Sequence, residues 1–186
     1  MNCILLHGCP STEEKALRRT YDKHWMPWIK QELEKRNIPT EIPLMPAPWK
    51  PDYLAFKKEF DKIKTITDNT ILIGHSCGAS FLVRWLGETK KKIKKLFLVA
   101  PWKIPWREDG TDIGFFTYTI DPTISTRVKK IIIFTADDEE KDGKTSVKLF
   151  HRALQGKIIK LKGKGHYTQE DMETEQFPEL LHEILS

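Results

Sequence analysis

The sequence has no long apolar run. No stretch approaches the ~20 consecutive apolar residues that a membrane-spanning helix needs, so we expect no membrane segment. The first seven residues contain no basic segment, and their apolar run is too short for a secretory signal peptide. These absences predict a cytoplasmic protein that does not act at a membrane.

Cysteine is scarce, and the three cysteines are Cys3, Cys9 and Cys77. An odd number without framework spacing is typical of a reducing compartment. Histidine precedes two of them by two positions, at His7 and His75. Two His-x-Cys pairs hold the residue types that bind zinc, but this spacing matches no familiar zinc site. We therefore expect no metal.

Arginine is also scarce, with seven residues against 24 lysines, although the net charge is +5. The one dense basic run, residues 90–95, follows a predicted helix, whose negative dipole end is stabilised by cations. No aromatic residue interleaves this run, as one would in a single-strand binder. We interpret the run as a solvated helix end and expect no nucleic-acid partner.

Internal repeats and low-complexity segments are missing as well, and 186 residues suffice for one domain with a substantial core. Apolar runs alternate with amphipathic segments, a pattern typical of a parallel sheet covered by helices on both faces. The predicted strands are residues 3–6, 40–44, 70–73, 96–100, 130–135 and 158–161. Residues 11–14 resemble a helix start, and the segment to residue 21 is either helix or loop. The sequence predicts a single α/β domain over residues 1–186.

The clearest chemical motif is Gly74-His75-Ser76-Cys77-Gly78. It lies between a predicted strand and a predicted helix, which is the context of a nucleophile elbow. The two glycines keep bulk away from the sharp turn that would present the serine hydroxyl above the sheet. A plain turn is the alternative, and the flanking elements favour the elbow. Ser76 is therefore the candidate nucleophile.

A nucleophilic serine needs a base, and the base needs a carboxylate that orients it. In α/β sheets such groups lie on loops at the carboxyl ends of the strands. His166 follows the sixth predicted strand and is the candidate base. Asp137 and Asp138 follow the fifth strand, so the chain order serine, acid, histidine is that of α/β hydrolases. Further carboxylates follow at Glu139, Glu140 and Asp142. The alternative is that this region is an acidic, solvated turn from which one carboxylate is recruited.

An oxyanion hole needs two backbone N–H groups. The residue after the nucleophile, Cys77, supplies one in such elbows. The loop after the first strand supplies the other, and Cys9 is the expected donor because Pro10 has no N–H and Gly8 lies within the turn. The two thiols have no role in this prediction.

Periodicity is lost between residues 101 and 126, and this segment is rich in aromatic side chains. A long irregular excursion is typical of a loop that carries function. We interpret Trp102, Trp106, Phe115 and Phe116 as candidate substrate-binding residues. The alternative is that these aromatics only fill a surface groove.

These motifs resemble the small α/β-hydrolase-fold serine hydrolases grouped with retinoblastoma-binding protein nine and its bacterial relatives. The resemblance covers nearly the whole chain, and its most specific parts are residues 73–79 and Gly165-His166. It implies a compact three-layer α/β-hydrolase-like fold with about six parallel strands and no large cap domain. It also implies the triad Ser76, Asp138 and His166. The residues after Asp138 depart from the relatives, which have a short apolar stretch and a proline there.

We therefore expect a carboxylesterase-like serine hydrolase that cleaves small ester-type acyl substrates through an acyl-enzyme, without cofactor. One alternative is a non-catalytic interaction module that binds protein through its aromatic segment. Another is a peptidase or thioesterase that uses the same triad. The residues identify no protein partner.

Overall fold

Six short strands form one parallel sheet within the described part of the chain, which comprises residues 1–13 and 24–186 of this computed structural model. They are β1 (Asn2–Leu6), β2 (Thr40–Glu41), β3 (Thr70–His75), β4 (Ile93–Val99), β5 (Val128–Ala136) and β6 (Lys157–Leu161). The order is β2-β1-β3-β4-β5-β6, and every neighbouring pair is parallel. The predicted parallel α/β sheet is confirmed. The undecided segment at residues 14–21 lies outside the described residues.

Helices connect these strands. In the described residues they are α1 (Met26–Glu34), α2 (Tyr53–Phe60), α3 (Cys77–Thr89), α4 (Ile113–Phe116), α5 (Ile124–Arg127), α6 (Lys141–Leu154), α7 (Gln169–Met172) and α8 (Pro178–Leu185). The four-residue helix α4 lies within the segment 101–126, and the four-residue helix α5 begins in it and ends at Arg127. The sequence predicted only loop there, because four residues are too few to show a helical period. None of these helices combines the length and apolar character that a bilayer crossing requires.

Helices cover both faces of the sheet. Successive strand residues point to opposite faces, so Leu6 and Leu72 join one core with helices α2, α3 and α6. Leu5 and Ile73 join the other core with helices α1 and α8. The result is the predicted three-layer architecture, with the carboxyl ends of β1, β3, β5 and β6 meeting at one edge.

The basic run at residues 90–95 is only partly a solvated helix end. Lys90 follows helix α3 and forms an ion pair with Asp121, with 2.8 Å between Nζ and Oδ2. Strand β4 begins at Ile93, three residues earlier than predicted. Lys95 is consequently buried, and its ammonium group donates a hydrogen bond to the carbonyl of Ile184. Burial lowers the pKa of Lys95. The helix-end interpretation is therefore wrong for the last residues of the run.

The start of helix α3 packs directly on the end of strand β1. A Cβ atom on Gly78 would lie 2.7 Å from the carbonyl oxygen of Leu6, which is closer than real Cβ atoms approach. A Cβ atom on Gly74 would lie 2.6 Å from the backbone nitrogen of Ala79. The two glycines of the motif therefore permit backbone contacts that any side chain would block.

We expect the substitution Gly78→Ala to destabilise the protein, because the added methyl group would push helix α3 away from strand β1. Overpacking of this kind costs about 1–3 kcal/mol, which outweighs the higher helix propensity of alanine. Urea unfolding would measure the loss. Gly114→Ala is the matched control, since a Cβ atom there meets nothing within 4 Å. Equal stability of the two variants would contradict the steric explanation.

Candidate active site

Ser76 lies at the sharp turn between strand β3 and helix α3. Its backbone has φ 53° and ψ −122°, a conformation that L-residues rarely adopt. Hydrogen bonds hold it there: the Ser76 N–H donates to the Val99 carbonyl at 2.9 Å, and the Ser76 carbonyl accepts from Trp102 at 3.2 Å. Such strain costs of order 1–3 kcal/mol and persists at functional sites where the surroundings fix it.

His166 lies on the loop after strand β6, and its Nε2 is 2.8 Å from the Ser76 hydroxyl oxygen. Two carboxylates hold this loop by accepting hydrogen bonds from its backbone. Asp138 accepts from the N–H groups of Lys164 and Gly165 at 3.2 and 3.0 Å. Asp171 accepts from the N–H of His166 itself at 2.8 Å. The structure thus brings the predicted serine and histidine into hydrogen-bonding contact.

The carboxylate beside His166 is Glu139, and the prediction of Asp138 for this position is wrong. Both carboxylate oxygens of Glu139 lie 3.1 Å from His166 Nδ1, and its side chain is fully buried. Asp138 points instead to the loop backbone, as described above. The alternative Asp137 accepts a hydrogen bond from the Gly163 N–H at 2.8 Å, which lowers its pKa.

A glycine in helix α6 explains why Glu139 can occupy this buried position. A Cβ atom on Gly143 would lie 2.6 Å from the carboxyl carbon of Glu139, so only glycine leaves room for that side chain. The Glu140 N–H also donates to Glu139, at 2.9 Å. The signal in the sequence was the departure from the relatives directly after Asp138, where Glu139 stands instead of an apolar residue.

His75 is a second buried histidine in contact with His166. Its Nε2 is 2.8 Å from the backbone carbonyl oxygen of His166. Because a carbonyl only accepts, this nitrogen carries the proton. Burial, reinforced by the nearby His166 and His24, holds the pKa of His75 well below 6.5. His75 is therefore a neutral donor that fixes the backbone of the histidine loop, a contact that motif reasoning did not find.

The two predicted oxyanion donors, Cys9 and Cys77, lie near each other beside Ser76. Cys77 is the first residue of helix α3, and Cys9 lies on the loop after strand β1, 5.8 Å away between Cα atoms. A Cβ atom on Gly8 would be only 3.2 Å from the Cβ atom of Ser76, so this loop packs closely on the elbow.

The two cysteines are joined in a disulfide, which the sequence analysis did not predict. They are 68 residues apart, and only the neighbouring positions of β1 and β3 in the sheet bring them together. Disulfides persist in oxidising compartments, so this bond argues against the reducing compartment expected from the cysteine count.

Cys3 is free and buried, and burial raises its pKa. Among the described residues, no group of three or more His, Cys, Asp or Glu side chains is placed to hold a metal ion.

An open cleft of about 700 Å³ lies above Ser76 and His166. Trp102 and Trp106, two of the predicted substrate-binding residues, line it, and the Trp102 ring lies edge-on to the His166 ring at 5.5 Å between centroids. Phe115 and Phe116 do not line it, and their prediction as substrate-binding residues is wrong. Both are buried in the core beneath the segment, because helix α4 turns them towards helix α2.

Hydrogen bonds fix the part of segment 101–126 that carries Trp102 and Trp106. The Arg107 guanidinium group donates hydrogen bonds to the backbone carbonyls of Ser11 and Trp49. Asp112 is fully buried and accepts hydrogen bonds from the backbone N–H groups of Trp106 and Arg107. The segment is thus a wall of the cleft at its tryptophans and a core element at its phenylalanines.

A family model described as serine hydrolase matches residues 16–184. The chain belongs to the serine hydrolase family. YdeN of Bacillus subtilis is 30% identical over 88 residues, which make up 45% of this chain and 45% of that protein. In sequence, the chain thus aligns with less than half of the length of this curated relative. In structure, the match to the ydeN gene product covers nearly the whole of both chains. That match has a TM-score of 0.84 at 19% identity, covering 99% of this chain and 96% of the other.

Two further solved structures resemble the chain at lower similarity. Est1E from Butyrivibrio proteoclasticus has a TM-score of 0.63 at 17% identity, covering 98% of this chain and 89% of its own. Carboxylesterase CesB from Bacillus subtilis has a TM-score of 0.59 at 14% identity, covering 100% of this chain and 82% of its own. At these identities the likeness shows the fold alone, and that fold is α/β-hydrolase-like.

We expect His75 to make the protein less stable in acid. Its pKa is depressed in the folded state, so below pH ~6.5 the unfolded chain binds a proton that the folded protein excludes. Stability from this histidine is present above pH ~6.5 and is lost progressively as the pH falls below that value. Urea unfolding at several pH values would show a smaller acid loss in His75→Phe than in wild type. An identical pH dependence would contradict the assignment.

Proposed function

We propose that this serine hydrolase cleaves small ester-type acyl substrates through an acyl-enzyme. The observation that carries the proposal is the position of His166, whose Nε2 is 2.8 Å from the Ser76 hydroxyl and whose Nδ1 is 3.1 Å from both oxygens of Glu139. Nucleophile, base and orienting carboxylate are therefore in contact without further movement. The triad of this proposal is Ser76, His166 and Glu139.

Acylation uses each of these contacts. The Ser76 oxygen attacks the ester carbonyl carbon while its proton passes to His166 Nε2. Glu139 accepts a hydrogen bond from Nδ1–H, which holds the required tautomer and stabilises the imidazolium. The N–H groups of Cys9 and Cys77 bind the oxyanion of the tetrahedral intermediate. Collapse of that intermediate breaks the C–O bond to the alcohol, which leaves with the proton from His166.

Deacylation repeats the steps with water. His166 takes a proton from a water molecule as its oxygen attacks the acyl carbon of the Ser76 ester. The second tetrahedral intermediate uses the same two N–H groups, and its collapse returns the proton to Ser76 and releases the carboxylic acid. None of these steps needs a metal or an organic cofactor.

The cleft supports small substrates with an apolar or aromatic part. Trp102 and Trp106 supply an aromatic wall, and the cleft volume of about 700 Å³ is in the range of small-molecule sites. Among the structural neighbours, one is named a carboxylesterase and Est1E has been crystallised with ferulic acid bound. These names support ester hydrolysis for this chain as a proposal.

The alternatives differ in the bond that is cleaved or in the absence of turnover. An interaction module has no use for a buried Glu139 bonded to His166, so the assembled triad weighs against it. Matched ester, thioester and amide substrates would separate esterase from thioesterase and peptidase. We propose a small-molecule acyl substrate, with no nucleic-acid or membrane partner. The cytoplasmic location stays a prediction, and the Cys9–Cys77 disulfide argues against it.

We expect a fluorophosphonate probe to label the wild-type protein at Ser76, because the probe reports a serine activated by a base. Ser76→Ala should remain unlabelled and should lose turnover of p-nitrophenyl acetate. Ser11→Ala is the matched control, since Ser11 lies in the same cleft and has no place in the proposed chemistry. Wild type that resists labelling, or Ser76→Ala that labels like wild type, would refute the proposal.

We expect Glu139→Gln to lower kcat by about 10²–10⁴-fold, the range seen when a triad carboxylate is neutralised. The amide leaves the shape of the site nearly unchanged but no longer stabilises the imidazolium. Asp138→Asn should lower kcat less than about 10-fold, because its side-chain oxygen still accepts the loop hydrogen bonds at about the strength of a neutral pair. Steady-state kinetics of both variants would show which carboxylate orients His166. A larger loss of kcat in Asp138→Asn than in Glu139→Gln would assign that role to Asp138.

A further inference from the structure

The disulfide lies between the two proposed donors of the oxyanion hole. Cys77 directly follows Ser76, and Cys9 lies on the loop after strand β1, with 5.8 Å between the two Cα atoms. Both residues line the cleft together with Ser76. The bond therefore joins the two backbone segments whose separation sets the width of the oxyanion hole.

The two segments differ in how firmly the rest of the fold holds them. Cys77 is 1% exposed and begins helix α3, which packs on strand β1 through Gly78. Cys9 is half-buried, and in the described part of the chain neither its N–H nor its carbonyl makes a hydrogen bond. Cys9 also packs against the apolar core. The disulfide is consequently the covalent link that fixes Cys9 to the start of helix α3.

Position matters for these donors more than for most backbone groups. An N–H stabilises the transition state only when it lies about 2.7–3.1 Å from the developing oxyanion, and loss of one donor lowers kcat about 10²–10³-fold. A donor on a released loop keeps part of this effect, because it samples the productive position for part of the time. Release of Cys9 should therefore lower kcat by about 10-fold, below the loss for a missing donor.

The geometry points to a positioning role for the Cys9–Cys77 disulfide: it holds the N–H of Cys9 beside that of Cys77, so that both face the oxyanion. This inference rests on the proposed function. The side chains of both cysteines are positioning groups, while their backbone N–H groups contact the reacting oxygen. A disulfide also stabilises a fold by restricting the unfolded chain, so the test must separate the two effects.

Thiol counting and reduction form the first arm of the test. Denatured, unreduced protein should show one reactive thiol, that of Cys3. Dithiothreitol gives two electrons and two protons to the disulfide, forms its own cyclic disulfide, and leaves two thiols on the protein. The reduced, folded protein should lose about 10-fold in kcat on p-nitrophenyl acetate, with little change in KM, and reoxidation should restore it.

A variant and a transition-state analogue form the second arm. Cys9→Ala combined with Cys77→Ala should show the same loss in kcat without further change on adding dithiothreitol, which controls for effects of the reductant. A trifluoromethyl ketone forms a hemiketal with Ser76 whose oxyanion occupies the hole, so its affinity should fall by a factor similar to kcat. A disulfide that only stabilises the fold would lower the thermal midpoint and leave kcat and analogue affinity unchanged.

Each outcome distinguishes the positioning role of the disulfide from the serine hydrolase mechanism. Wild-type kcat and wild-type analogue affinity in the reduced protein would overturn the positioning role and leave the serine hydrolase mechanism intact. Three reactive thiols in the unreduced protein would likewise overturn it. Absence of ester turnover and of fluorophosphonate labelling in the oxidised wild type would overturn the proposed function, and this inference with it.

Discussion

The close approach between helix α3 and the ends of strands β1 and β3 is the contact on which the site depends. Gly74 and Gly78 permit it, since a Cβ atom at either position would meet backbone atoms at less than 3 Å. The approach forces Ser76 into a backbone conformation with positive φ. In that conformation the serine hydroxyl lies 2.8 Å from His166 Nε2. Without it, the proposed nucleophile would not meet its proposed base.

The rest of the site consists of groups that hold His166 against this turn. Three of them act on the backbone of its loop: Asp138 and Asp171 accept its N–H groups, and His75 donates to its carbonyl. Glu139 contacts the ring nitrogen Nδ1, on the side away from the serine. The backbone N–H and C=O groups of this irregular loop have no partners from a helix or a sheet, so side chains supply their hydrogen bonds. The carboxylates near His166 therefore divide between those that hold the backbone of its loop and the one that contacts its ring.

The segment between strands β4 and β5 shows a similar division. Its tryptophans line the cleft, whereas its phenylalanines fill the core beside helix α2. Arg107 and Asp112 fasten the segment by hydrogen bonds to backbone groups, including those of the loop after strand β1. The same loop carries Cys9, so the wall of the cleft and the proposed oxyanion hole share one support.

Local pattern in the sequence determined the parallel α/β sheet, the elbow at Ser76 and the histidine after the last strand, because strand and helix periods and small residues at a turn act over neighbouring positions. Tertiary structure alone decided the acid, since the directions of Asp138 and Glu139 depend on the loop backbone and on the space left by Gly143. It also decided that Cys9 meets Cys77 across 68 residues. Contacts between residues distant in the chain depend on strand order and close packing, and neither follows from the composition of the sequence or from the spacing of its motifs.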